Sequence, residues 1–184
     1  MYDLVEIHRP PIDEHRLEGF LLERNKDLIL LNVINTDVVC FNGYSVIRRH
    51  DVRKMKVNRK NAFMIRALAL KGYAASEPSG ISIANWPELL ESVNRQFPLF
   101  AIHQEWLDNG VCYIGRLAAR TATTFGLKEI DPDARWSRSR SYNFKDLTKV
   151  DFGGGYEDSL ARLASTHTRK RTAEVRAIKS SKRA

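Results

Sequence analysis

The sequence is poor in the residues that staple a chain together. It has two cysteines in 184 residues, Cys40 and Cys112, too few for the disulfide framework of a small secreted domain. Each lies in an apolar-leaning run, Val38-Val39-Cys40-Phe41 and Val111-Cys112-Tyr113, and reads as a small buried hydrophobe. No apolar run approaches the length of a membrane span. Met1-Tyr2-Asp3 leads straight into alternating sequence with no signal-peptide pattern, so a reducing cytoplasm is the expected setting. Catalytic signatures are missing too: GxSxG, HExxH, CxxC and the glycine loops that cradle phosphates do not occur. None of His8, His15, His50, His103 and His167 stands three or four residues from another, the spacing that turns two imidazoles toward one metal on a helix. The carboxylates are scattered, with no pair set for acid–base work. These absences point away from an enzyme and call for no metal and no cofactor.

What is present is an ordinary globular composition, 43% apolar and 28% charged, with an unusual distribution of charge. Net charge is +8. Seven basic residues crowd into Arg169–Ala184 against the single acid Glu174, so the body is close to neutral. A basic, aromatic-free tail of this kind, beginning Arg169-Lys170-Arg171, binds polyanions without sequence preference, or serves only as a solubilising end or a docking arm for an acidic partner.

Strand signals dominate two stretches. Leu17–Arg24 and Leu28–Ile34 read as a hairpin bent at Gly19. Val38–Phe41 reads as a strand ending in an Asn42-Gly43 turn, and Tyr44–Ile47 as its successor. Val52, Met55 and Val57 form a last short strand. Helix formers then run from Asn61 to Lys71, with Gly72 as a cap. A second helix follows Asn85 as N-cap, with Pro87 and Glu88 in its first turn and Leu89, Leu90 and Val93 on one stripe. From Leu99 the strands return, over Leu99–Ile102, Val111–Leu117, Phe125–Ile130 and Tyr142–Phe152. Gly153-Gly154-Gly155 then leads into a short helix at Tyr156–Ala164; with no lysine after the glycines, a flexible connector outranks a phosphate loop.

The two β-rich stretches can be superposed. Ile7-His8 matches Ile102-His103, Gly19 matches Gly115, and Asp51-Val52-Arg53-Lys54-Met55-Lys56-Val57 matches Asp146-Leu147-Thr148-Lys149-Val150-Asp151-Phe152, all at offsets of 95 or 96. The shared Asp-apolar-x-Lys-apolar-x-apolar pattern reads as a tight turn, shaped by Asp, into an edge strand. His8 and His103 read as strand-end residues bonding to backbone.

Residues Glu18-Gly19-Phe20-Leu21-Leu22, Asp27–Asn32, Gly43–Arg49 and Asp51-Val52 resemble the Sm-like group of small SH3-type barrels, over about residues 4–58 and again over 99–152. The resemblance implies a bent strand at a glycine, an apolar strand ending near Asn and a closing strand pair. It also implies RNA as a ligand. Ile47-Arg48-Arg49-His50 lacks the glycine that the family carries in its RNA-contacting loop, which leaves a ring assembly and a uridine pocket without support.

The expected fold is therefore mainly β with short helices: two tandem SH3/Sm-like small barrels joined by a helical connector. Residues 1–72 would hold the first barrel and its helix, 73–98 the connector, 99–165 the second barrel and helix, and 166–184 the tail. Barrels this small have thin cores and lean on each other or on further subunits, so a homo-oligomer falls within the expectation. The expected function is non-enzymatic nucleic-acid binding, RNA ahead of DNA. Its contacts would come from Arg48 and Arg49, from Arg135, Trp136, Arg138, Arg140 and Tyr142, and from Arg169, Lys170 and Arg171 in the tail. Strand alternation would put Trp136, Arg138, Arg140 and Tyr142 on one face, where arginines meet phosphates and aromatics stack on bases; the alternative is a solvated hairpin with its aromatics packed inward. Competing functions are an oligomeric scaffold that binds partners at exposed sheet edges and, more remotely, an enzyme with a cleft between the repeats.

Overall fold

The computed structural model of the chain describes residues 2–58 and 62–166. The fold is mainly β. The strands are β1 (Asp3–Arg9), β2 (Asp13–Arg24), β3 (Leu28–Asn35), β4 (Cys40–Arg48), β5 (Lys54–Val57), β6 (Phe100–His103), β7 (Cys112–Arg120), β8 (Thr124–Ile130), β9 (Trp136–Asn143) and β10 (Lys149–Phe152). They form one antiparallel sheet in the order β5-β1-β2-β3-β4-β10-β6-β7-β8-β9. That order has two ends, β5 and β9, so the sheet as a whole is open. The helices are α1 (Ala62–Leu70), α2 (Trp86–Gln96) and α3 (155–166).

Within β1–β5 the last strand returns to the first, through pairs such as Ile7↔Met55 and His8↔Lys54. Within β6–β10 the same closure is made by Ile102↔Val150 and His103↔Lys149. The halves are joined by β4 and β10, in the register Lys149↔Ile47, Val150↔Val46, Asp151↔Ser45 and Phe152↔Tyr44. The largest apolar cluster straddles this seam. Leu28, Leu30 and Val46 come from one side, Phe100, Ile102, Phe125 and Val150 from the other, and Leu89, Leu90 and Val93 of α2 cover it. β3 is apolar at successive positions because both its faces are covered: Leu28 and Leu30 face the shared cluster, while Ile29 and Leu31 join Val5, Ile7 and Ile47 in a second. α1 packs Met64 and Leu68 on Leu4 and Ile34, and α3 packs Leu160 and Ala164 on Leu99 and Ile130.

Local signals explain several boundaries. Asn85 Oδ1 accepts from Glu88 N at 2.9 Å, with Pro87 in the first turn of α2. α1 ends as expected at Gly72, whose φ is +76°, with Tyr73 N–H donating to Leu68 O at 3.0 Å. A Cβ on Gly19 would stand 2.7 Å from Asn32 O, and one on Gly115 2.3 Å from Lys128 O. Both matched glycines therefore sit where an adjacent strand's carbonyl leaves no room for a side chain.

Other expectations are corrected. Asn42-Gly43 is a bulge inside β4, not a turn: Asn32 pairs with Tyr44 and Ile34 with Phe41, so one extra residue is absorbed there and Gly43 takes φ +74°. The chain reverses earlier, at Asn35-Thr36-Asp37, itself legible in the sequence as a polar turn, where Asn35 Oδ1 accepts from Asp37 N and Val38 N at 3.1 and 3.3 Å. The two Asp-Lys strands differ in position. β5 is a sheet edge with Val57 exposed, while β10 is central with Val150 and Phe152 buried. Tyr142–Phe152 is not one strand, because a 3-10 turn at Phe144–Asp146 interrupts it. The cysteines are not buried: both are free, Cys112 exposed at the start of β7 and Cys40 half-buried at the start of β4. No helix of the described residues is long and apolar enough to cross a membrane.

Candidate nucleic-acid interface

A hollow of about 670 Å³ opens between the two halves. Its walls come from the β2–β3 turn (Lys26, Asp27), the end of β4 and its 3-10 turn (Arg48, Arg49, His50), the start of α2 (Asn85, Trp86, Pro87), Ala122 of the β7–β8 turn, and Phe144 and Lys145. Four fixed cations, Lys26, Arg48, Arg49 and Lys145, face it against one carboxylate, Asp27. Lys26, Arg49, His50 and Lys145 are exposed, Trp86 is half-buried and Phe144 is buried. The hollow thus combines a basic rim with a half-buried indole that also packs on the shared core, beside the capped amino end of α2.

Arg48 and Arg49 both line the hollow, but their states differ. Arg48 is clamped: Nε and Nη2 donate to the two oxygens of Asp51 at 2.7 and 3.0 Å, and Nη1 donates to Lys145 O at 3.1 Å. Arg49 is exposed, with its Nη1 donating to Asn25 O at 3.2 Å. Asp51 is fully enclosed at its carboxylate and accepts a third bond, from Trp106 Nε1 at 3.0 Å. It therefore reads as structural, and it presents Trp106, 55% exposed, beside the clamped arginine. In the second half Asp146 accepts from Asn143 Nδ2 at 3.0 Å, the same three-residue step with Asn in place of Arg48. Sequence reasoning missed Trp86, Trp106, Lys26 and Lys145, because they come from separate elements with no shared local pattern.

Residues 135–142 do not line this hollow, and the expectation of a single basic–aromatic face is overturned. A bulge separates Lys128↔Ser139 from Ile130↔Trp136, so the alternation is broken. Trp136 opposes Ile130, whereas Arg140 opposes Leu127, and these two β8 residues lie on opposite faces. Trp136 packs on the Leu99–Ile130–Leu160 cluster beneath Arg116 and Lys128, whose charges lie 4.6 and 5.4 Å from its ring. Tyr142 is buried against Phe125, and its hydroxyl donates to Glu129 Oε1 at 2.6 Å; burial and that carboxylate push its pKa well up. Both aromatics are thus taken up by packing. Arg138 and Arg140 remain exposed, Arg140 with Nε 3.8 Å from Glu129 Oε1, and Arg135 pairs with Asp133 at 3.6 Å. Arg169, Lys170 and Arg171 lie outside the described residues.

The other titratable clusters belong to the seam. Asp151 accepts from Ser45 Oγ at 2.6 Å and stands 3.2 Å from Lys149 Nζ and 2.8 Å from His103 Nε2. Burial raises its pKa, but Lys149, His103 and Ser45 together outweigh that and hold it well below the usual carboxylate range. His103 thus faces a carboxylate and not the backbone, and the ring nitrogens His8 Nε2 and His103 Nε2 both lack an aligned hydrogen bond. A smaller hollow of about 360 Å³ holds His103, Cys112, Asp151 and Glu157. Desolvation and the nearby Asp151 push the Cys112 thiol up, so it stays protonated at neutral pH, the reverse of an activated nucleophile. Glu157 is also raised, by burial first and by Asp151 second. Among the described residues no group of three His, Cys, Asp or Glu side chains is placed to hold a metal.

The halves are also bridged by Arg9, 1% exposed, whose guanidinium donates to both oxygens of Glu105 at 2.7 and 2.9 Å. Burial alone would raise Glu105, but Arg9, Thr148 and Lys149 leave it lowered. No protein-family model, no curated protein and no solved structure matches the chain.

Proposed function

We propose that this chain is a non-enzymatic nucleic-acid-binding protein whose ligand is single-stranded, RNA ahead of DNA, and that its two halves are copies of one small barrel-like unit. The carrying observation is the hollow between the halves, where Lys26, Arg49 and Lys145 surround the half-buried Trp86. Lysine and arginine supply the salt-dependent attraction to phosphates, and an indole face supplies stacking for an unpaired base. A hollow of about 670 Å³ has the capacity of ordinary small-ligand sites, enough for one or two nucleotides. RNA is preferred to DNA on the Sm-like resemblance of residues 4–58. The copy reading is supported by matched closures: Ile7↔Met55 against Ile102↔Val150, and Gly19 against Gly115. Arg169, Lys170 and Arg171 would add sequence-independent affinity.

The test is fluorescence anisotropy with a labelled short single-stranded oligoribonucleotide over a salt series. Arg49→Glu combined with Lys145→Glu should weaken binding at least tenfold and lower the slope of log K against log salt by about 0.7 per lost phosphate contact. Trp86→Ala should weaken it by about 5- to 100-fold, the range for loss of one stacked base. The reading fails if the intact chain does not bind at low salt, or if cutting after residue 166 abolishes binding while the three substitutions leave it unchanged.

A further inference from the structure

We propose that the free edge of β9 is a docking site for an extended acidic segment of a partner protein, taken up as an added antiparallel strand. The seam inside the molecule provides the template. β10 lies along β4 with Asp151 opposite Ser45, just before Arg48 opens a 3-10 turn. β9 stands at the same place in its half, just before Asn143 opens the turn at Phe144–Asp146, but it is the last strand of the sheet. Counting back from those turns, Arg140 occupies the position of Ser45; Leu127 of β8 pairs with it on one side, and among the described residues no strand lies on the other. An incoming strand in the register of β10 would therefore meet Arg140 where β10 offers Asp151 to Ser45.

The edge carries Arg138 and Arg140, both exposed, over a strand of eight residues. Strand addition uses such an edge through main-chain hydrogen bonds, with side chains setting the choice of partner. Edges left only to face water are commonly guarded by a charge that repels other edges; the charged side chains of β9 itself are both arginines, Arg140 also lying 3.8 Å from Glu129 of β8, so an added strand that carries carboxylates is favoured. A nucleic acid fits this strand less well, because Tyr142 is buried in the core and the half-buried Trp136 already packs against Leu99 and Ile130 with Arg116 and Lys128 over its ring. A second copy also fits poorly. Its free edge is β5, where Lys56 stands in the place of Asp151 and would face Arg140 across the new pair.

This inference stands apart from the nucleic-acid reading, since β9 does not line the basic hollow. The test uses a synthetic peptide copying residues 147–153 with the Lys149 and Gly153 positions changed to Glu, which sets carboxylates opposite Tyr142, Arg140 and Arg138. Titrated into the full chain, it should bind and slow hydrogen exchange of the β9 amides. Arg138→Glu with Arg140→Glu should reduce affinity at least tenfold while the far-ultraviolet circular dichroism is unchanged. Two further peptides, N-methylated on alternate residues in the two opposite phases, read the backbone pairing directly: one phase should abolish binding and the other leave it. Absence of binding, equal behaviour of the two phases, displacement by an oligonucleotide of equal charge, or self-association of the free chain through β9 would each overturn the proposal.

Discussion

Arg9 and Glu105 show how far one residue's effect depends on its surroundings. Arg9 is fully enclosed, and its nearest carboxylates are Glu105 at 2.7 Å and Asp13 at 3.5 Å. Removing one member of a buried pair leaves the other charge without its compensation. Glu105→Ala should therefore destabilise the protein by about 3–5 kcal/mol, read as a lower urea midpoint at unchanged m-value. Gly115 gives a second prediction at this scale. An alanine there would put Cβ 2.3 Å from a strand carbonyl, whereas Gly155 has nothing within 4 Å of the same position. Gly115→Ala should cost about 1–3 kcal/mol, the range for overpacking, and Gly155→Ala should leave the melting temperature unchanged or slightly higher, since it opens a helix. Asp51 belongs here too: its carboxylate orders Arg48 and Trp106 together, and a short sequence pattern reveals only that it shapes a turn.

At the scale of elements, β10 matters most. It is four residues long, yet it closes its own half on β6 and joins the other half through β4. Asp151 sits at this junction with Ser45, His103 and Lys149 around it. Its pKa in the folded protein is depressed, so its contribution to stability is complete above the unfolded value of about 3.9 and is lost as pH falls through the folded value. Glu105 shifts in the same direction, and Glu157 in the opposite one. Asp151→Asn should cost about 1–2 kcal/mol at neutral pH and flatten the loss of stability between about pH 5 and pH 2. Urea melts of both proteins across that range would check it, and parallel profiles would remove Asp151 as the cause. The length and capping of α2 were legible beforehand because Asn85, Pro87 and Glu88 act locally. The Asn42-Gly43 bulge was not, because the same dipeptide serves a turn or a bulge according to which strand lies beside it.

For the whole molecule, the shared core decides how the halves behave. Leu28, Leu30 and Val46 are buried in the same cluster as Phe100, Phe125 and Val150. Neither half can unfold without exposing apolar surface of the other. The chain from residue 2 to 166 should melt in one cooperative step, with calorimetric and van't Hoff enthalpies equal. Two resolved transitions would show that the halves are energetically separate. Removing β10 by cutting after residue 146 should abolish the folded signal of both halves and not only the second.

Local chemistry determined much of this protein. Alternating and continuous apolar runs set the strand-rich class, Asn85 and Gly72 set helix ends, and Gly19 and Gly115 marked the places where strands press on one another, because each signal acts over a few residues. Tertiary structure alone decided that the two strand sets merge in one sheet, that β10 lies at its centre while its counterpart β5 lies at its edge, and that Arg49, Trp86 and Lys145 meet around one hollow. It also took Trp136 and Tyr142 out of the expected surface: a bulge in β9 turns Trp136 to the other face, and Tyr142, still on the face of Arg140, packs into the core beside Phe125. The physical reason is common to these cases: pairing partners far apart in sequence fix the faces and edges of each strand, and the chain's local pattern carries no record of which partner it will meet.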